Sequence, residues 1–143
     1  NELKKLDPTR FIDHASGWQD QGYEEMKSRH IYFRPVKLKN DGRALALTEY
    51  GGYILAVDGH RWTDKVFGYR ICRNSAALAH DYEKLMLGQV LPHIRKEGLT
   101  AAVYTQITDV EEELNGLMTY DREVLKIPEE TLREINAALR FDA

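Results

Sequence analysis

Cysteine is almost missing from this chain. Cys72 stands alone among 143 residues, so no internal disulfide can form and cysteine usage does not indicate a redox compartment. Long apolar runs are missing as well. No stretch approaches the roughly 20 apolar residues that a membrane-spanning helix needs, so no membrane partner is expected. Asn1-Glu2-Leu3-Lys4-Lys5 has no apolar signal core, and any signal is expected to lie upstream of residue 1. Basic charge is not in excess either. Twenty Lys and Arg against 23 Asp and Glu give a formal net charge of −3 and a pI near 6.0, which argues against nucleic acid because phosphate binding needs a basic field. There is no internal repeat, low-complexity tract, glycine-rich phosphate loop or Cys-His nucleophile pair. His14, His30, His60, His80 and His93 are scattered without His-x-x-x-His spacing, so no metal centre is expected.

What remains suits one compact domain. A hydrophobic share of 43% and a charged share of 30% are enough to fold and bury a core. Asp7-Pro8-Thr9-Arg10 reads as a turn, followed by a candidate strand over residues 11–15 that ends at Ser16-Gly17-Trp18. Residues 27–33 form a second candidate strand, stopped by Pro35. After the turn signal Asn40-Asp41-Gly42, Ala44-Leu45-Ala46-Leu47-Thr48 is a near-continuous apolar run, the pattern of a strand buried on both faces. Residues 53–72 are irregular and rich in aromatics, and loops of that length are usually functional. Asn74-Ser75 caps a helix carrying Leu78, Tyr82, Leu85, Met86, Val90 and Ile94 at helical spacing. Pro92 should kink this helix and Gly98 close it. A further buried strand spans residues 99–106, an acidic loop follows from Asp109, and Pro128 opens a last helix.

Strands separated by helices or long excursions, with apolar runs in place of alternation, indicate an α/β fold with a parallel sheet. In such sheets the chemistry gathers at the C-terminal ends of the strands. Polar and aromatic residues cluster at those ends here: Ser16 and Trp18, His30 and Tyr32, Glu49 and Tyr50, Gln106 and Asp109. Glu49 is the most pointed of them. It follows a buried strand, so its carboxylate stands on a rigid element, and Gly51 and Gly52 allow close approach. A carboxylate so placed is otherwise a solvated group or one paired with an arginine.

Leu47-Thr48-Glu49-Tyr50-Gly51-Gly52 resembles the nucleophile segment that ends barrel strand seven in glycoside hydrolase family 2, which includes β-galactosidases, β-glucuronidases and β-mannosidases. Asp7-Pro8-Thr9-Arg10 is similar to the family's entry to strand five and Ala15-Ser16-Gly17-Trp18 to that strand's end. His30-Ile31-Tyr32 resembles the end of strand six. Residues 103–111 with Asn115-Gly116-Leu117 resemble strand eight and its exit in a β-glucuronidase-like subgroup. The blocks run in order along nearly the whole chain. The resemblance therefore implies that residues 1–143 are the C-terminal half of a catalytic (β/α)₈ barrel, a partial TIM barrel with strands five to eight and their helices. Many members carry a Trp near the sugar on strand eight, where this chain has Tyr104 and Gln106, so the familiar sugar specificities do not transfer.

The resemblance further implies a retaining O-glycoside hydrolase acting on terminal β-glycosides, with Glu49 as the nucleophile and Tyr32 beside it. His30, Trp18, Gln106 and Asp109 would line the carbohydrate site. Four of these have a plainer alternative: Tyr32 as a core aromatic, His30 as a satisfied structural residue, Trp18 packed under a loop, Asp109 capping the acidic turn. Retaining hydrolysis needs two carboxyl groups about 5–5.5 Å apart. Asn1-Glu2 has no strand before it, so the acid/base Glu is expected upstream, leaving this piece inactive alone. No cofactor is needed. Unpaired half-barrel edges invite a homodimer. The competing readings are a non-catalytic carbohydrate-binding remnant of the same barrel and an unrelated α/β domain whose residues 53–72 carry the function.

Overall fold

The computed structural model describes residues 2–13, 17–23 and 25–140. Its centre is a parallel sheet of β1 (Met26–Ile31), β2 (Ala44–Gly51) and β5 (Leu99–Thr105), in the order β1-β2-β5. Leu45, Ala46 and Leu47 are all fully buried, as expected of a strand covered on both faces. Two short strands, β3 (Tyr53–Ile54) and β4 (Arg70–Ile71), pair in parallel and bracket the long loop. The protein is thus α/β with a small parallel sheet.

The helical layer follows from local signals. The Asn74 side chain accepts a hydrogen bond from the Ala77 backbone N–H at 2.8 Å, starting α2 (Ser75–Leu85). The chain then makes a π-helical turn, Met86–Val90, before α3 (Leu91–Glu97). The expected irregularity at Pro92 takes this form. Proline removes one backbone donor and its ring crowds the carbonyl four residues back, and a widened turn relieves both. Gly98 ends α3 in the left-handed region at φ 65°. Leu78, Tyr82, Leu85, Met86 and Val90 face Leu45, Leu47, Tyr50 and Leu99 of the sheet. Burial of each such aliphatic side chain contributes about 1.5–3 kcal/mol. Ile135 of α4 (Glu129–Ala138) joins the same core.

One expectation changes at the N-terminus, that of a strand over residues 11–15. Glu2–Leu6 is a short helix, α1. Residues 11–13 form no strand, and residues 14–16 lie outside the described residues. The Ile12 N–H is taken by the Glu25 carboxylate at 3.1 Å, which also pairs with Lys4. A backbone donor satisfied by a side chain has none left for a ladder. One backbone bond, from His30 N–H to the Gly17 carbonyl, still ties the segment to β1.

A register irregularity in β2 positions the site. Arg29 pairs with Leu47 while His30 pairs with Glu49, and Ala102 pairs with Leu47 while Tyr104 pairs with Tyr50. Both neighbours therefore pass over one extra residue between Leu47 and Tyr50. Strict alternation from Leu45 and Leu47 would send Glu49 into the apolar core. The bulge sends Tyr50 there instead and releases Glu49 to the other side.

Candidate active site

Three parallel strands deliver their C-terminal residues to one place. The Tyr32 hydroxyl, just past β1, donates to Glu49 Oε2 at 3.1 Å and shares a 2.8 Å contact with Thr105 Oγ1 at the end of β5. His30 Nδ1 lies 3.2 Å from the same Glu49 oxygen. That contact is close but poorly aligned, and Nδ1 has no hydrogen-bond partner among the described residues. His30 is 5% exposed, whereas the Glu49 side chain is 46% exposed. A buried ring nitrogen without a hydrogen-bond partner thus sits against a half-open carboxylate. Burial, reinforced by the Glu49 charge and opposed by the Thr105 contact, raises the Tyr32 phenol above its ordinary pKa. It therefore stays a donor toward the carboxylate.

Aromatic rings wall this group. Trp18, 61% exposed, stands edge-on to His30 at 5.3 Å and 6.2 Å from Tyr32. On the other side Tyr69 stacks on Tyr32 at 4.1 Å. The paired glycines admit rings: a Cβ on Gly51 would come within 2.3 Å of the Tyr104 ring, and one on Gly52 within 2.4 Å of Tyr69. Both have positive φ, at 95° and 68°, where side chains are disfavoured. Tyr104 itself packs edge-on against Tyr50 and Tyr82 in the core, and Thr105 is the β5 residue that meets Tyr32.

The two remaining candidates are engaged within the loop that follows β5. The Gln106 amide donates to Asn115 Oδ1 at 2.6 Å and to Glu113 at 3.2 Å. Asp109 is buried and accepts from Lys126 Nζ at 2.6 Å and from the Gly116 N–H at 2.8 Å. Burial raises the Asp109 carboxyl pKa and lowers that of the Lys126 ammonium, while the pairing opposes both shifts. The structure thus gathers Glu49, Tyr32, His30 and Trp18, and ties Gln106 and Asp109 into the adjoining loop.

Tyr69 and Thr105 had no sequence signal as site residues. Tyr69 sits in an irregular stretch, and Thr105 is indistinguishable by type from any other strand residue. Distant segments also bring His60, Asp121 and Glu123 together, with potential ligand atoms within 4.8 Å of one another. The His60–Asp121 hydrogen bond at 2.8 Å accounts for that meeting, and histidine spacing along the chain gives no sign of it. No helix among the described residues is long and apolar enough to cross a membrane. In comparison with known proteins, the chain matches no family model and no curated protein matches it.

Proposed function

We propose that this chain is the C-terminal half of the catalytic barrel of a retaining O-glycoside hydrolase, with β1, β2 and β5 as barrel strands six, seven and eight. The observation that carries the reading is the Glu49 carboxylate at the open end of a parallel sheet, with Tyr32 and His30 on one oxygen. Tyr32 orients Oε2, and Oε1 has no partner among the described residues, leaving it to react.

In the proposed reaction Glu49 attacks the anomeric carbon of a terminal β-glycoside. The bond to the aglycone oxygen breaks, and that oxygen takes a proton from a second carboxyl group. Water then attacks the glycosyl-Glu49 ester, returns a proton to that carboxylate and frees Glu49. The reading assigns the second carboxyl group to a residue outside these 143. Trp18 offers an exposed ring face for a sugar.

The test is mass spectrometry of the longest natural form of the protein after exposure to 2-deoxy-2-fluoro glycosides of several configurations. An adduct mapped to Glu49 supports the reading, and the reactive sugar names the specificity. A folded protein that takes no label from any of them favours a carbohydrate-binding remnant.

A further inference from the structure

β1 and β5 are not neighbours in the sheet, because β2 lies between them. Their ends meet all the same. The hydroxyl of Tyr32, the first residue past β1, reaches Oγ1 of Thr105, the last residue of β5, at 2.8 Å. Thr105 is anchored on the β2 side as well: it pairs with Gly51, and its carbonyl accepts the Gly52 N–H at 2.9 Å. One residue thus holds the chain just after Glu49 through its backbone, and the phenol beside Glu49 through its side chain.

Counting protons fixes the direction of the side-chain contact. A tyrosine hydroxyl carries one proton, and an ionised carboxylate can only accept. With the Tyr32 proton on Glu49 Oε2, the contact to Thr105 is left for the Thr105 proton, which has no other acceptor among the described residues. Thr105 therefore donates to Tyr32, and Tyr32 to Glu49; each bond in such a chain polarises the next. Among the described residues Tyr32 makes the one hydrogen bond to the Glu49 carboxylate, so no parallel route bypasses it.

We propose that Thr105 is a positioning residue whose hydroxyl, acting through Tyr32, eases the departure of Glu49 from the glycosyl-enzyme. This rests on the reading of Glu49 as nucleophile. In the first step the carboxylate spends its charge in bonding to the anomeric carbon, so a donor on Oε2 gives no gain. In the second, water attacks that carbon and its proton passes to the second carboxylate. The bond to Glu49 breaks, and its electron pair returns to Glu49. Negative charge then grows on a group that already faces a donor, where a preorganised donor lowers the barrier.

The two steps are timed separately on the longest natural form by intact mass. A 2-deoxy-2-fluoro-glycosyl fluoride that labels Glu49 gives the first rate; loss of the adduct after the reagent is removed gives the second. Thr105→Val exchanges the hydroxyl for a methyl, keeps the branched shape and suits a strand, so folding is not at risk. Adduct loss should slow about tenfold in Thr105→Val, by more than any fall in labelling, and Thr105→Ser should regain most of it. In a Tyr32→Phe background Thr105→Val should add nothing, because the route through the phenol is gone. Equal falls in both rates, no fall in adduct loss, or a fall that persists in Tyr32→Phe overturns the role of Thr105 while the nucleophile stands. If no adduct forms on Glu49 in the parent, both ideas are overturned.

Discussion

The Tyr32 hydroxyl stands 3.1 Å from Glu49 Oε2, although the two residues come from different strands and are 17 positions apart. Its second contact, to Thr105, fixes the phenol so that its proton points at the carboxylate. If Glu49 is the nucleophile, Glu49→Gln should lower kcat on the order of 10⁴-fold or more. Removing one donor in Tyr32→Phe should cost about 10²-fold. Steady-state assays of the natural protein on an aryl glycoside check both, and full activity in Glu49→Gln would end the assignment.

Gly17 supports the site from behind. A Cβ there would lie 2.2 Å from His30 Cδ2 and 2.7 Å from the His30 backbone nitrogen. Its φ of 87° adds about 1–2 kcal/mol against any side chain. Gly17→Ala should therefore lower stability and displace His30. Urea denaturation and the histidine proton resonances report on the two effects, and an unchanged midpoint would contradict this.

The loop after β5 depends on one buried ion pair. With Lys126 and the Asp109 side chain almost wholly out of solvent, Lys126→Met leaves a buried carboxylate without its cation and should cost about 3–5 kcal/mol. The double replacement Lys126→Met/Asp109→Leu should recover most of that loss. A double variant no more stable than Lys126→Met alone would show that the pair is not the source of the effect.

Asp121 provides a pH signature. A hydrogen bond from the Thr119 hydroxyl, then one from His60, holds its carboxyl at about 2 against an ordinary 3.8. A depressed carboxyl pKa stabilises the fold above the unfolded value, and that contribution is lost as pH falls through about 2. The unfolding midpoint should therefore drop between about pH 4 and pH 2 by more in the parent than in Asp121→Asn. Parallel slopes for the two proteins would refute this.

The parts of the fold that were legible in the sequence depend on short-range physics. The apolar run at 44–48 and the Asn74 and Gly98 caps each act over a few residues, and each matches an element boundary to within a few positions. Residues 11–13 misled because their apolar character resembles a strand, while the donor that would build one is claimed by Glu25. At the site, Glu49, Tyr32 and His30 share the strand-end position that made them candidates, whereas Trp18 joins them although residues 11–13 form no strand. Tyr69 was hidden because its place depends on how residues 53–72 fold back, with its N–H on the Gly52 carbonyl. Asp109 occupies the same strand-end position, yet Lys126, 17 residues later, decides its role.

The extra residue in β2 makes position 48 a spacer. Its threonine hydroxyl makes only a long 3.4 Å contact to the Arg29 carbonyl, and Thr48→Ser should leave labelling at Glu49 intact. Deletion of Thr48 would set Glu49 directly after Leu47, where regular alternation keeps Glu49 on the open side and Tyr50 in the core. The deletion chain should therefore lose the bulge and still label at Glu49, and a folded deletion chain that takes no label would disprove this. The bulge works as a correction for an odd residue count: it restores the facing that the chain without Thr48 would have from alternation alone.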